Sequence, residues 1–284
     1  MNYRHVFHAG NFADVLKHAV LCLALARLAD KDKPFVVVDT HAGAGRYDLH
    51  EPQPGRTGEA ERGIHRLLAA PDRPPALKRY LDIVRQFDRF LGGGSGRLRH
   101  YPGSPRLARA MLRPGDRLVA CELHEKDGLA LRREFAGDPQ VEIRRGDGYA
   151  ALKALLPPPE RRGLVLIDPP FEARDEFERL QRALGQALRR FATGQYLVWY
   201  PVKDIAAVAG FKAWLEAAGL RRTLTVELEV APPAPSALAR AGMALVNAPW
   251  PIEDELARLG PWLAATLGGG QGKFELDWIV RDQS

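Results

Sequence analysis

The segment Asp168-Pro169-Pro170-Phe171 follows an apolar run, 163–167, and carries the most specific chemistry in the chain. The two prolines fix φ near about −65° and remove two backbone donors, so the Asp168 carboxylate and the Pro169 carbonyl can act together as acceptors. A double acceptor of this kind suits a primary amine on an aromatic ring, and Phe171 could stack on that ring. The alternative is an ordinary proline-rich exit from a strand.

Three other predicted strand ends carry groups that suit a nucleoside. The glycines of Gly43-Ala44-Gly45 allow a sharp turn and a close backbone approach to a ligand. The Glu122 carboxylate could accept hydrogen bonds from ribose hydroxyls, and Asp147-Gly148 could meet an adenine amino group. Ligands of open α/β sheets bind at the carboxyl ends of strands, so these segments together predict a nucleoside-binding crevice. Taken alone, the glycine pair indicates no more than a tight turn.

Alternating strands and helices must position these groups. The pattern predicts a helix over 11–29 and then strands, most of them followed by a helix, over 35–39, 117–123, 141–145, 163–167 and 195–200. Further strands are predicted over 223–230, 242–247 and 274–280. The alternation predicts an α/β fold with a doubly wound parallel sheet, and the late strands add an antiparallel edge.

Residues 51–101 differ in character, because they are rich in proline, glycine and arginine. Ten basic and six acidic residues give this segment a charge of +4, which is most of the chain's +6. We therefore predict a main α/β domain formed by 1–50 and 102–284, with 51–101 inserted as a small basic helical subdomain. Its cations are candidates for contacts to nucleic-acid phosphates: Arg62, Arg66, Arg73, Lys78, Arg79, Arg85, Arg89, Arg97 and Arg99. The alternative is a subdomain whose charges are merely solvated.

Composition excludes several protein classes. Of the 284 residues, 46% are hydrophobic and 27% charged, which are ordinary globular values and exclude a wholly disordered or fibrous chain. The two cysteines, Cys22 and Cys121, form no CxxC pair, so neither a disulfide framework nor a thiolate zinc site is expected, and no metal is predicted. The apolar run 19–26 is too short to span a bilayer. A cytoplasmic protein that contacts no membrane is expected.

The segment 168–171 resembles the hallmark of the S-adenosylmethionine-dependent amino methyltransferases of adenine and cytosine. Longer blocks resemble one family, the RlmJ family of large-subunit ribosomal RNA adenine-N(6) methyltransferases. These blocks cover nearly the whole chain: 1–5, 7–11, 13–18, 39–47, 101–105, 167–170, 191–194 and 199–201. Phe171 departs from the family, in which tyrosine is commoner, but it keeps the stacking face.

The resemblance implies a Rossmann-like methyltransferase fold, S-adenosyl-L-methionine as methyl donor and large-subunit ribosomal RNA as partner. No obligate protein partner is predicted. The resemblance also implies residue roles. Asp168 would hold the adenine amino group and accept its proton, beside Pro169 and Phe171. Cofactor contacts would come from His18, His41, Ser104, Glu122, Asp147, Gly148 and Asp168. Tyr3, His5 and Lys17 would lie near the target base or the RNA.

Simpler interpretations remain open for several of these residues. Lys17 and His18 could lie on a solvated helix face, and Ser104 could be only a helix N-cap. Asp39 is either near the methionine amino group of the cofactor or a cap for the loop that follows it.

Three other functions are also open. A DNA adenine methyltransferase could use the same acceptor chemistry. A nicotinamide-dependent dehydrogenase would lack the third glycine of its fingerprint. A non-enzymatic RNA-binding protein on an inactive fold would have no use for Asp168.

Overall fold

The computed structural model describes residues 8–50, 58–94, 96–232 and 237–281. Tyr3 and His5, two of the residues expected near the RNA, lie outside the described residues. In the described ranges, no helix combines the length and the apolar character that a membrane crossing requires.

A mixed eight-stranded sheet forms the centre of the fold. The strands of the chain are β1 (Val36–Asp39), β2 (Arg46–Asp48), β3 (His100–Pro102), β4 (Arg117–Glu122), β5 (Val141–Arg145), β6 (Gly163–Ile167), β7 (Gln195–Pro201), β8 (Thr223–Glu229), β9 (Arg240–Val246) and β10 (Lys273–Val280). The order in the large sheet is β10-β8-β9-β7-β6-β1-β4-β5. Strands β5, β4, β1, β6 and β7 are parallel, whereas β9, β8 and β10 each run antiparallel to the strands they pair with. The predicted doubly wound parallel sheet with an antiparallel edge is confirmed.

Helices cover both faces of this sheet. They are α1 (Phe12–Ala29), α2 (Arg66–Ala69), α3 (Lys78–Phe90), α4 (Ser104–Met111), α5 (Glu125–Glu134), α6 (Gly148–Leu155), α7 (Glu176–Arg190), α8 (Ile205–Ala217) and α9 (Ile252–Leu267). One apolar core joins the sheet to α1, α3, α4, α5 and α9, and a second joins it to α6, α7 and α8. Val37 packs into the first core and Val36 and Val38 into the second, which explains why the β1 sequence is continuously apolar.

The inserted segment packs into the core that also contains α1. Its buried side chains include Ile64, Leu67, Tyr80 and Val84. A short π-helical turn at Glu61–His65 bends at Gly63, where a Cβ atom would come within 2.0 Å of the carbonyl oxygen of Gly10. Strands β2 and β3 pair antiparallel, and this pairing brings the two ends of the segment together. The division of the chain into 1–50 with 102–284 and an inserted 51–101 stays a prediction.

Two helices of the fold were not predicted from the pattern. Helix α9 contains Pro261, which normally ends a helical pattern, and α4 follows directly on β3 with Pro105 in its first turn. Both pack beside α1 on the same face of the sheet. They complete the layer that holds the polar residues of α1 in place.

Candidate active site

The carboxyl ends of β1 and β6 meet at the point where the strand order reverses. The chain leaves β1 toward β4 and β5 on one side and later returns to β6 on the other side of β1. In open α/β sheets this switch point is where ligands bind. A cavity of about 760 Å³ lies there. Its lining includes every described residue to which the family resemblance assigned a role: Lys17, His18, His41, Ser104, Glu122, Asp147, Gly148, Asp168, Pro169 and Phe171.

Lys17 links two carboxylates at the bottom of this cavity. Its Nζ lies 2.5 Å from Oδ2 of Asp168 and 2.9 Å from Oδ1 of Asp14. Burial lowers the pKa of Lys17, but the charges of Asp14 and Asp168 outweigh it and hold that pKa well above the usual value. Lys17 is 4% exposed and His18 is 1% exposed. A solvated position for these two side chains is therefore wrong, because α4 and the inserted segment cover this face of α1.

Ser104 and Asp39 form a second polar contact at the end of β1. Ser104 is the first residue of α4 and not its N-cap, and its hydroxyl donates to Oδ2 of Asp39 at 2.7 Å. The other oxygen of Asp39 accepts from the backbone N–H of His41 at 3.3 Å, so Asp39 does cap the loop that follows it. Burial raises the pKa of Asp39 to about 7, against the opposing hydrogen bond from Ser104.

Glu122 holds the glycine turn from the end of the neighbouring strand β4. Its two oxygens accept the backbone N–H groups of Gly43 at 2.8 Å and of His124 at 2.6 Å. Gly43 and Gly45 have φ values of +61° and +78°, which is the left-handed conformation that favours glycine. Burial raises the pKa of Glu122. Each oxygen keeps a second lone pair, which can accept from ligand hydroxyls.

The loop between β5 and α6 forms the next wall of the cavity. Asp147 caps α6 by accepting from the backbone N–H of Tyr149 at 2.9 Å. A Cβ atom on Gly148 would lie 2.0 Å from the carbonyl oxygen of Thr40, so only glycine fits against the end of β1. The rings of His41 and Tyr149 meet edge to face at 5.1 Å. Burial lowers the pKa of His41 to about 4, so its imidazole is neutral at physiological pH.

Phe171 adopts an unusual backbone conformation at the edge of the same cavity. Its φ is +48°, which is rare for a bulky residue and stores strain. Its ring packs edge to face on Phe177 at 4.9 Å and on Trp199 at 5.8 Å. Trp199 was not predicted as a site residue. It lies near the carboxyl end of β7, so the strand-end rule that pointed to Asp168 could also have pointed to Trp199.

Basic side chains surround the outer part of the cavity. Arg62 and Arg66 of the inserted segment and Lys203 after β7 line it, and Arg66 donates to the carbonyl oxygen of Leu267 at 3.1 Å. Among the described residues, Arg62 and Arg66 are the two of the nine candidate cations in 51–101 that line this cavity. Four others contact groups of the protein itself: Arg73 with the carbonyls of Leu68 and Ala70, Lys78 with Asp82, Arg97 with Glu61 and Arg99 with Asp48.

The doubly wound sheet and the acceptor-rich crevice at its switch point define an open α/β protein of the Rossmann-like type. The model of the family "Ribosomal RNA large subunit methyltransferase D, RlmJ" matches residues 32–280. The Escherichia coli K12 protein named ribosomal RNA large subunit methyltransferase J is 44% identical to this chain over 282 residues, which are 99% of each chain. The Haemophilus influenzae protein of the same name is 41% identical over 282 residues, again 99% of each chain. This chain therefore belongs to the RlmJ family of ribosomal RNA methyltransferases.

A solved structure of a Legionella pneumophila protein supports the architecture. It is 33% identical, has a TM-score of 0.87, and covers 95% of this chain and 98% of its own. The resemblance read from the sequence blocks is thus confirmed at the level of family and fold.

Proposed function

We propose that this protein transfers a methyl group from S-adenosylmethionine to the exocyclic N6 nitrogen of an adenine in large-subunit ribosomal RNA. The observation that carries this proposal is the position of Asp168-Pro169 at the carboxyl end of β6, beside the cavity that Glu122, Asp147 and Asp39 also line or border. A methyltransferase of the RlmJ family has a direct use for that arrangement. A nicotinamide-dependent dehydrogenase has none.

The residues of the cavity fit S-adenosylmethionine. Glu122 and Asp147 offer carboxylate acceptors for the hydroxyl and amino groups of a nucleoside, and Gly148 leaves room where any side chain would clash. The carboxylates of Asp39 and Asp168 lie at the ends of β1 and β6, where their negative charge would favour a positively charged ligand. When bound, the cofactor supplies an electrophilic methyl group carried on a sulfonium.

Asp168 and Pro169 act on the substrate amine. The lone pair of adenine N6 is delocalised into the ring, so this nitrogen is a poor nucleophile. Accepting both of its N–H groups, through a carboxylate oxygen and the Pro169 carbonyl, favours a pyramidal nitrogen with a localised lone pair. The Lys17 ammonium donates to Oδ2 of Asp168, so Oδ1 is the oxygen that would accept from the amine. As the N–C bond formed, the bond from the sulfonium sulfur to the methyl carbon would break and the neutral thioether would leave. The methylated nitrogen would then be acidic, and Asp168 would accept its proton. Orientation supplies most of the rate enhancement.

The target adenine must leave its stack to reach this carboxylate, because Asp168 is only 14% exposed in its side chain. Phe171 provides an aromatic face for the flipped base. Arg62, Arg66 and Lys203, which line the cavity, would contact the flanking phosphates, and Tyr3, His5 and Lys17 would lie near the target base or the RNA. The protein acts in the cytoplasm and needs no obligate protein partner.

Labelled methyl transfer tests the proposal. The purified protein is incubated with labelled S-adenosylmethionine and, separately, total ribosomal RNA or genomic DNA. We expect label in RNA, at the N6 position of adenine in the large-subunit fraction. Label in DNA alone would identify a DNA methyltransferase, and label in neither would favour a non-enzymatic RNA-binding protein.

Asp168→Ala serves as the matched variant in this assay. It should keep measurable binding of the cofactor but lose methyl transfer, because the acceptor of the amine is gone. Turnover that survives this substitution would exclude the mechanism. Mapping of methylated adenines in cells with and without the protein then identifies the target.

A further inference from the structure

Three buried side chains form a hydrogen-bonded chain from the inserted segment to the cavity. The hydroxyl of Tyr80 on α3 lies 2.7 Å from the hydroxyl of Tyr101 on β3, and that hydroxyl lies 2.7 Å from Nδ1 of His18 on α1. Tyr80 and Tyr101 are 0% exposed and His18 is 1% exposed. The His18 ring lines the cavity, whereas neither tyrosine does.

The direction of these hydrogen bonds follows from the number of protons available. Across the described ranges, Tyr101 is the one hydrogen-bond partner of the Tyr80 hydroxyl. If Tyr80 accepted from Tyr101, its own proton would be buried without an acceptor, which is unfavourable. Tyr80 therefore donates to Tyr101. Tyr101 has one proton, and it goes to the remaining partner, Nδ1 of His18.

The tautomer of His18 follows from this direction. A nitrogen that accepts a hydrogen bond carries no proton, so the ring is a neutral imidazole protonated at Nε2. An imidazolium or an Nδ1–H tautomer would donate to Tyr101, and the proton of either Tyr101 or Tyr80 would then be buried without an acceptor. The Tyr101 hydroxyl, whose oxygen accepts from Tyr80, thus sets the donor and acceptor sides of the ring.

We propose that Tyr80 and Tyr101 are positioning residues that hold His18 as the Nε2–H tautomer, so that His18 offers a hydrogen-bond donor to an acceptor oxygen of the bound cofactor. This inference rests on the proposed function, because it assigns the cofactor to this cavity. It also gives the inserted segment a part in cofactor binding, since Tyr80 belongs to 51–101 and acts only through Tyr101 and His18.

Nitrogen NMR of protein labelled with ¹⁵N-histidine tests the tautomer directly. The His18 signals are assigned from their loss in His18→Gln, and two-bond proton–nitrogen correlations identify the protonated nitrogen. We expect Nε2–H in the unmodified protein and in Tyr80→Phe, where the Tyr101 proton still has Nδ1 as its acceptor, and a mixture of tautomers in Tyr101→Phe. An Nδ1–H or doubly protonated ring in the unmodified protein would overturn the proposal. A pure Nε2–H tautomer in Tyr101→Phe would also contradict it, because the ring would then hold this tautomer without the Tyr101 hydroxyl.

Calorimetric binding of S-adenosylmethionine provides the second measurement. Tyr80→Phe should weaken binding about 2- to 10-fold and Tyr101→Phe by more, in line with the loss of one or two hydrogen bonds. Tyr196→Phe is the matched control, because it also removes one buried hydroxyl, which donates to the Phe191 carbonyl at 2.8 Å in the other core. Equal affinities of Tyr80→Phe and Tyr196→Phe would contradict a positioning role.

Amide replacements of His18 separate the two ring nitrogens. Glutamine places its N–H group near the position of Nε2, whereas asparagine places it near Nδ1. We expect His18→Gln to bind the cofactor more tightly than His18→Asn, and the reverse order would contradict the assigned tautomer. Neither the NMR nor the binding measurement uses RNA. A protein that failed to methylate ribosomal RNA would therefore disprove the proposed function and leave the tautomer result unaffected.

Discussion

Lys17 Nζ donates to Asp168 Oδ2 at 2.5 Å across 151 residues of sequence. The carboxylate proposed to hold the target amine is therefore already paired with a buried cation, which fixes its position and keeps one oxygen occupied. Asp14 holds the same ammonium from the other side at 2.9 Å. This three-residue cluster joins α1 to the end of β6 and gives the N-terminal helix a direct influence on the chemistry.

Replacing Lys17 by methionine should reduce both stability and activity. Two buried carboxylates would lose their common partner, and breaking such a pair typically costs about 3–5 kcal/mol. We expect a lower midpoint in urea unfolding and at least a tenfold lower rate of methyl transfer. Lys203→Met, at an exposed lysine of the same cavity, should leave the midpoint unchanged. Adding Asp168→Asn to Lys17→Met should recover part of the stability but none of the activity. A variant Lys17→Met as stable as the parent would contradict the cluster.

The stability of the protein should fall between about pH 4 and pH 7 because of Asp39. Its pKa is about 7 in the folded chain and 3.8 as the ordinary value. The unfolded chain therefore releases this proton first as pH rises, so stability declines through that window and levels off above it. Asp39→Asn carries no such proton. Its unfolding free energy, measured relative to the parent, should rise by about 2 kcal/mol from pH 5 to pH 8. A constant difference between the two proteins would show that the Asp39 pKa is ordinary.

Gly148→Ala should impair cofactor binding and folding together. The new Cβ would lie 2.0 Å from the carbonyl oxygen of Thr40, so the β1 loop would have to move. We expect the affinity for S-adenosylmethionine to fall at least tenfold, with a lower melting temperature. Gly210→Ala is the matched control, because a Cβ atom added there, on the exposed side of α8, would meet no atom within 4 Å. That substitution should stabilise the protein by about 0.5–1 kcal/mol and leave binding intact. Unchanged affinity for S-adenosylmethionine in Gly148→Ala would contradict the prediction, because the loop after β1 could then move without weakening cofactor binding.

Phe171 should contribute through its aromatic face. Phe171→Tyr keeps that face and should keep methyl transfer within about threefold, whereas Phe171→Ala should lower it by about 5- to 150-fold, the range of base stacking on an aromatic side chain. Single-turnover assays with saturating cofactor measure this effect. Phe90→Ala, at an aromatic residue of α3 that is 83% exposed, should have no effect on the rate. Equal rates for Phe171→Ala and the parent protein would exclude stacking on this ring.

Arg66 and Lys203 should each contribute about one phosphate contact to RNA binding. Neutralising either residue is expected to weaken binding and to reduce the slope of log K against log salt by about 0.7–1. Filter binding over a range of salt concentrations measures both quantities. Lys153→Ala, an exposed lysine of α6 that does not line the cavity, is the control and should leave the slope unchanged. Identical slopes for the Arg66→Ala variant and the control would show that Arg66 makes no contact to an RNA phosphate.

Much of the crevice could be predicted from local sequence. Asp168, Glu122 and Asp147 each follow or end a run that forms a parallel strand, and the carboxyl ends of parallel strands share one edge of the sheet. Their approximate meeting place therefore follows from alternation alone. The predicted interpretations of Ser104 and of the α1 polar face were less reliable, because a helical pattern does not tell which neighbours cover it.

The sequence by itself determined the doubly wound sheet and the position of Asp168-Pro169 at the end of a parallel strand, since both depend on residues close together in the chain. Only the tertiary structure decided that Lys17 pairs with Asp168, that Tyr80, Tyr101 and His18 form one hydrogen-bonded chain, and that two of the nine candidate cations in 51–101 line the cavity. These relationships join residues on separate elements. The physical reason is that periodicity reports local burial, whereas such pairings depend on how helices pack across the finished sheet.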